Sequence, residues 1–375
     1  MSKLLISRCD EYKCEKIYEV ILNQLIVLDL VDKIKFKKVL LKPNLLGAHK
    51  PQEAATTHPE FLRAIIKLFK KNNEVIVGDS PSVANFEEVV LKTGIKKVCE
   101  EEKVLLLNLS VYPTIEFEFN KFGCKKLVVS KIVEEVDYIV NLPKLKTHSL
   151  TIITCGIKNM YGVVAGFTKS LYHKYALHPQ DFFEVLYAVY SYRPPDLTIV
   201  DAIEGMEGDG PASGTVKKFA LIITSEDART VDYFVAKDLF KLPKHFLFIN
   251  KYLKKPTEIV FIGVSKEEIK NIKVVLPQTA SFVNYFPKIV VSFVKPLVWF
   301  RPKIVQKLCK QCAKCYQICP KKTIKKVGNK YFIDYANCIT CLCCFEVCTY
   351  KAIKIKRSIF YEIFILLKKL LKLLV

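Results

Sequence analysis

Over residues 1–265, short β-prone runs alternate with amphipathic segments. Residues 37–42, 74–78, 136–142, 196–200 and 219–224 are rich in Val, Ile and Leu and read as strands. Between them, residues 59–71 place apolar side chains at positions 61, 62, 65, 66, 68 and 69, a helical stripe entered behind His58. Residues 86–101 read as a helix broken at Gly94. Residues 180–192 read as one stopped by Arg193-Pro194-Pro195, and residues 227–239 as another. Strand–helix alternation predicts an α/β domain with a largely parallel sheet over residues 1–279, with extra antiparallel strands within 104–130. An aromatic, proline-broken linker follows at 280–304. A small α+β domain of the ferredoxin-like kind occupies 305–357, and a basic amphipathic helix 358–375.

Each predicted strand is followed by polar residues: Lys42-Pro43-Asn44, Gly78-Asp79-Ser80-Pro81, Asn141 through His148, and Asp201 through Pro211. In open α/β sheets, ligands bind outside the carboxyl ends of the strands. Pro and Gly in these stretches serve turns. Lys144, Lys146 and His148 do not, so they are either site residues or a solvated basic loop. The stretch from Thr154 to Gly162 adds Lys158 and Asn159. The expected crevice gathers Lys42, Asn44, Asp79, Lys144, Lys146, Lys158 and Asn159 around an anionic small molecule. His148 or Asp201 would move a proton there. Metal binding by His148 and His173 is a lesser alternative.

The C-terminal region carries the sharpest chemistry. Cys309, Cys312, Cys315 and Cys319 precede Pro320, and Cys338, Cys341, Cys344 and Cys348 repeat the spacing before Thr349. Each set falls within eleven residues and contains no histidine. Structural zinc usually pairs two shorter hooks, and disulfides belong to small secreted domains. The spacing resembles bacterial two-cluster ferredoxins, from about residue 308 to 355. That resemblance implies two 4Fe-4S clusters with exchanged fourth ligands. One would take Cys309, Cys312, Cys315 and Cys348, the other Cys338, Cys341, Cys344 and Cys319. Cys343 breaks the spacing and is expected not to ligate. Thr349 departs from the family's proline. Between the runs, Gly328-Asn329 predicts a hairpin turn.

The motifs quoted from Lys42 to Pro211, above all Asn141-Leu142-Pro143-Lys144-Leu145-Lys146-Thr147-His148, resemble the domain-of-unknown-function family 362. The resemblance covers roughly residues 5–240 and implies a fold and an iron–sulfur association, not a reaction. No nucleotide-binding glycine fingerprint, nucleophile elbow or His-Glu-x-x-His is present.

Net charge is +22, and residues 301–375 hold 17 Lys+Arg against 3 Asp+Glu. The basic surface suits an acidic redox partner protein or an anionic membrane surface. Nucleic acid is not expected, since no binding motif accompanies the lysines. Fourteen cysteines and the lack of a recognisable leader suggest a reducing cytoplasmic setting, with peripheral contact at the inner membrane face through 358–375 as an addition. The sequence leaves open whether the chain is an oxidoreductase, a ferredoxin-type carrier whose α/β domain only docks, or a membrane-associated adaptor.

Overall fold

The chain is seen in a computed structural model that describes residues 2–81, 85–166, 168–277, 297 and 299–363. Among the described residues, twelve strands belong to the larger part: β1 Lys3–Arg8, β2 Lys38–Pro43, β3 Glu74–Asp79, β4 Leu105–Asn108, β5 Thr114–Lys121, β6 Cys124–Ser130, β7 Tyr138–Leu142, β8 Lys144–His148, β9 Ile152–Thr154, β10 Leu197–Glu207, β11 Thr215–Ser225 and β12 Glu258–Ile262. Ten of them form one sheet in the order β12-β1-β11-β10-β7-β2-β3-β4, with β8 and β9 branching from β10. The run β10-β7-β2-β3-β4 is parallel throughout, and β11 runs antiparallel to both of its neighbours. The strands are apolar on both sides because both faces are covered. On β1 and β2, Leu4, Ile6 and Leu40 enter one core, and Leu5, Val39 and Leu41 enter the other.

The second of these cores is closed by α1 (Cys14–Val27), α2 (Pro59–Phe69), α3 (Phe86–Lys92) and α4 (Ile95–Glu101). The first is closed by the β5–β6 hairpin, the short helices α5 (Ile132–Glu135), α6 (Gly156–Asn159) and α7 (Thr168–Tyr172), and the longer α8 (Pro179–Tyr192) and α9 (Ala228–Phe234). In α2, Pro59 supplies a ready-made first turn and the Nδ1 atom of His58 accepts from the Glu60 N–H at 3.2 Å. Phe61, Leu62, Ile65, Ile66 and Phe69 are its buried face, while Leu68 is only partly buried. Gly94 separates α3 from α4 at φ +77°, a conformation that favours glycine.

The expectation of a largely parallel sheet holds, with refinements. Residues 104–130 are not uniformly antiparallel: β4 joins the main sheet in parallel and only β5–β6 is a hairpin. Two expected strand-exit loops are strands. Lys144–His148 is the buried strand β8, and β10 continues to Glu207 through most of the Asp201–Pro211 motif. β1 and α1 precede the first of the individually predicted strands, and β12 pairs in parallel with β1 at the sheet edge.

In the C-terminal part, β13 (Phe300–Ile304) pairs antiparallel with β16 (Ile353–Arg357), and β14 (Ile324–Val327) with β15 (Lys330–Ile333) across the Gly328 turn. Two five-residue helices, Lys314–Ile318 and Cys343–Val347, each follow a cysteine loop. Ile304, Ile318, Ile324, Tyr331, Leu342, Phe345 and Ile353 give this part its own core. Of the expected linker 280–304 and the helix 358–375, most residues lie outside the described ones. No helix among the described residues is long and apolar enough to cross a membrane.

Candidate functional site

Strand periodicity puts Lys144, Lys146 and His148 on one side of β8, two residues apart each time. All three are buried, so the solvated-loop alternative does not hold. They nevertheless enter different surroundings. Lys144 reaches Asp201 at 3.0 Å and donates to the Tyr12 hydroxyl at 2.6 Å. Tyr12 donates to the other Asp201 oxygen at 2.9 Å, and the His58 N–H donates to Asp201 at 2.9 Å. The Tyr12 and His58 rings stack at 3.6 Å. This network ties β8, β10 and the start of α2 together. Both Asp201 oxygens are engaged, so Lys144 and Asp201 stand apart from the open space described next.

That space lies over the ends of β2 and β3. A cavity of about 60 Å³ is lined by Lys42, Asn44, Asp79, Lys146, Lys158, Asn159 and Lys169, among others. Lys42 is fully buried, 2.8 Å from Asp79, and hydrogen-bonded to the Pro43 carbonyl at 2.9 Å. Lys146 donates to Asn44 Oδ1 at 2.7 Å and to the Ala55 carbonyl at 2.6 Å. Asn159 donates to Asn141 Oδ1 at 2.8 Å and faces Lys42 across 3.4 Å. Lys169 donates to the Ser80 carbonyl. Lys158 has no hydrogen-bonding or ion-pair partner within 4 Å among the described residues. Asp232 fixes the start of α6 by accepting from the Gly156 and Ile157 N–H groups at 2.6 and 3.0 Å, which sets Lys158 and Asn159 in place. Gly162 is required here: a Cβ would fall on Lys42 Nζ and Asp79 Oδ1.

Four lysines thus face one carboxylate, Asp79. Burial is the first cause of each shift. It lowers Lys42 and Lys158 below their ordinary value, pushes Lys169 to about 7, and holds Lys146 well below with help from Lys158 and Lys144. An arriving anion would relieve this cost.

Lys158, Tyr161 and Lys169 also wall a second cavity, of about 90 Å³, whose far side belongs to the C-terminal part. His148, His49 and His173 line it from the α/β side; Lys314, Cys343, Glu346 and Thr349 line it from the other. His148 Nδ1 accepts from the Leu150 and Thr151 N–H groups at 3.1 and 3.2 Å, so the proton sits on Nε2. Nε2 is buried without a hydrogen-bond partner and lies 3.5 Å from Glu346 Oε1. Burial, then Lys158 and Lys146, keep His148 neutral, well below its ordinary value. His173 stacks on Phe182 at 3.9 Å and is pushed to about 3 by burial. Lys169, His49, Tyr161, Glu346, Tyr12 and His58 were not among the expected site residues. Glu346 had a signal in the sequence, as the one acid between Asp334 and Glu362.

The cysteine loops repeat in conformation as well as in spacing. Gln311 and Ala313 have left-handed φ of 57° and 59°, and Thr340 and Leu342 match them at 53° and 63°. Lys322 and Lys351 pair likewise at 52° and 50°, although Thr349 stands where Pro320 stands in the first run. Alternating left-handed residues turn backbone N–H groups toward a common centre, a nest of the kind that surrounds iron–sulfur cores. Superimposing the repeats aligns Ala313 with Leu342, so Cys344 corresponds to Cys315, and Cys343 corresponds to Lys314. The thiols mix across the repeats. Burial pushes Cys315 to about 11, and its cysteine neighbours are Cys348, Cys312 and Cys309. Burial also raises Cys344, whose cysteine neighbours include Cys341, Cys338 and Cys319. The Thr323 N–H donates to Cys319 Sγ at 3.3 Å, and the Ala352 N–H to Cys348 Sγ at 3.2 Å. No three His, Cys, Asp or Glu side chains among the described residues are grouped to hold a single metal ion. A multi-iron core is bound at its corners and takes a wider ring of thiols. Cys9, Cys14, Cys99, Cys124, Cys155 and Cys343 are buried free thiols.

Comparison with known proteins agrees with both parts. Residues 39–237 match the family described as Domain of unknown function (DUF362), and residues 301–349 match the 4Fe-4S dicluster domain. The C-terminal part is therefore a ferredoxin-type domain for 4Fe-4S clusters. The thylakoid-associated protein sll1697 of Synechocystis is 32% identical over 212 residues, covering 55% of this chain and 63% of that protein. The chain thus spans less than two thirds of that relative's length. Two solved structures align at 14% identity. The lactate racemase apoprotein of Thermoanaerobacterium thermosaccharolyticum has a TM-score of 0.41 over 63% of this chain and 58% of that one. A Thermotoga maritima protein has a TM-score of 0.36 over 53% and 52%.

Proposed function

The chain belongs to the DUF362 family and carries a ferredoxin-type 4Fe-4S domain, and from that premise we propose that it is a redox protein passing electrons between two 4Fe-4S clusters and an anionic small molecule in the α/β crevice. Cys309, Cys312, Cys315 and Cys348 would hold one cluster, and Cys338, Cys341, Cys344 and Cys319 the other. Bound clusters supply one-electron transfer.

The observation that carries this reading is the position of the helix Cys343–Val347. It contains Cys344 and also walls the cavity lined by His148, Lys158 and Lys169. The two cysteine sets differ in access. Cys312 is exposed, whereas Cys344 is buried. Lys310, Lys321, Lys322, Lys325 and Lys326 of this domain are exposed and suit an acidic redox partner. Electrons would enter or leave at that basic surface and meet the ligand in the crevice. Lys158 and Lys169 would neutralise the ligand's charge. His148 Nε2–H, held in direction by the two backbone donors on Nδ1, would donate a hydrogen bond or proton. Asp201 is assigned a positioning role through Lys144 and Tyr12.

Anaerobic reconstitution followed by iron analysis and EPR of the dithionite-reduced protein tests the reading. About eight iron atoms per chain and two interacting cubane signals are expected. Zinc in place of iron, or colourless protein after reconstitution, would refute it.

The name of the Synechocystis relative favours a second reading, a site of action at a membrane surface. Flotation with anionic liposomes, with and without residues 358–375, tests it; equal flotation of both forms removes that segment as the anchor.

A further inference from the structure

The wall between the two parts holds one carboxylate, Glu346, that the redox reading does not use. Asp79, which also acts on Lys146 and Lys169, is paired with Lys42 at 2.8 Å, and Lys158 has no ion-pair partner within 4 Å among the described residues. The acid that faces them comes from the C-terminal part: Glu346 interacts with both Lys158 and Lys146. Its Oε1 lies 3.5 Å from His148 Nε2, a fully buried N–H with no hydrogen-bond partner. His148, Lys158, Lys169 and Glu346 share one cavity of about 90 Å³, and Lys146 lines the neighbouring one. Space of roughly 10–15 Å³ holds one water, so the cavity has room for a ligand of several heavy atoms beside Glu346.

We infer that the crevice is a binding site for a small carboxylate, and that Glu346 is a tethered carboxylate standing in it as an internal competitor. This rests on the crevice being the ligand site of the redox reading and adds its ligand class and its control. A planar carboxylate is what the site already accepts, between an imidazole N–H and buried ammonium groups. A free carboxylate must compete with a group held at high effective concentration, in the millimolar range for short tethers. Binding to the unmodified chain is therefore weak, and it loosens the contact between the helix Cys343–Val347 and the crevice. The link between the ligand and the cysteine-bearing helix is mechanical as well as electrostatic. The same helix carries both the competitor and Cys344.

The test uses the full chain loaded with iron, titrated calorimetrically with acetate, malonate, inorganic phosphate and chloride. Glu346→Gln removes the charge and keeps the shape, and Glu346→Ala removes both. Malonate affinity is expected to rise about tenfold in Glu346→Gln over the unmodified chain, with acetate following the same order. Lys158→Met combined with Glu346→Gln is expected to lose that gain. Equal carboxylate affinity with and without Glu346, or no binding in either Glu346 variant, overturns the inference. Phosphate or chloride binding as tightly as malonate overturns the ligand class. Iron content and EPR are recorded on the same samples. A variant with full clusters and no carboxylate binding defeats this inference alone, whereas absence of clusters in the unmodified chain defeats the redox reading beneath it.

Discussion

Replacing Asp79 by asparagine leaves the Lys42 ammonium buried without its carboxylate. Lys42 is fully buried and Asp79 2% exposed, with 2.8 Å between their charged atoms. Asparagine keeps the acceptor for the Leu45 N–H, now bonded to Asp79 Oδ2 at 2.6 Å, so the change isolates the charge. Breaking one side of a buried pair costs about 3–5 kcal/mol. Lys42 has one escape, which is to lose its proton. From an ordinary value of 10.5, that escape costs about 5 kcal/mol at pH 7 and about 2 kcal/mol at pH 9, at about 1.4 kcal/mol per unit. The defect is therefore expected near 3–5 kcal/mol at pH 7 and no more than about 2 kcal/mol at pH 9. The sign follows from linkage. The unfolded lysine keeps its proton up to 10.5, while the folded variant sheds it earlier, so raising the pH favours the folded variant over that window. Urea unfolding at both pH values measures this. Far-UV circular dichroism would follow the α/β part, and visible absorbance the ferredoxin-type part separately, because two transitions are not one two-state step. A defect under about 1 kcal/mol at pH 7, or one that grows with pH, would refute the reasoning.

Cys319→Ser is expected to remove the cluster shared with Cys338, Cys341 and Cys344 while the other cluster's EPR signal persists, and Cys343→Ser to retain full iron; loss of the other cluster instead would show that the fourth ligands do not cross. Gly162→Ala should lower the thermal midpoint by an amount corresponding to about 1–3 kcal/mol, because its Cβ displaces the Lys42–Asp79 pair, and an unchanged midpoint would contradict the close approach. Anion affinity of the crevice should weaken as pH rises through about 7, where Lys169 loses its proton, by at most about tenfold per unit. Titrations at pH 6 and pH 8.5 check this, and Lys169→Met should flatten the profile over the same range.

The cysteine spacing determined the C-terminal domain's character by itself, because each set of four cysteines falls within eleven residues and the left-handed positions at Gln311, Ala313, Thr340 and Leu342 lie between them. Apolar runs alternating with amphipathic segments likewise determined the α/β class, since burial of both sheet faces leaves its mark on each strand in turn. The crevice was legible in part. Lys42, Asn44, Asp79, Lys146, Lys158 and Asn159 do share one cavity, because strand ends of a parallel sheet point the same way. What lies beside them depended on tertiary pairing. Lys144 and Lys146 have the same local sequence character, yet Tyr12, 132 residues away in the chain, captures the first and leaves the second facing the cavity. Glu346 reaches His148 only through the docking of one domain on the other. Spacing along a chain encodes loops and faces. Which buried charge finds which partner is decided by strand order and domain contact, where low-dielectric surroundings make each pairing worth far more than local propensity.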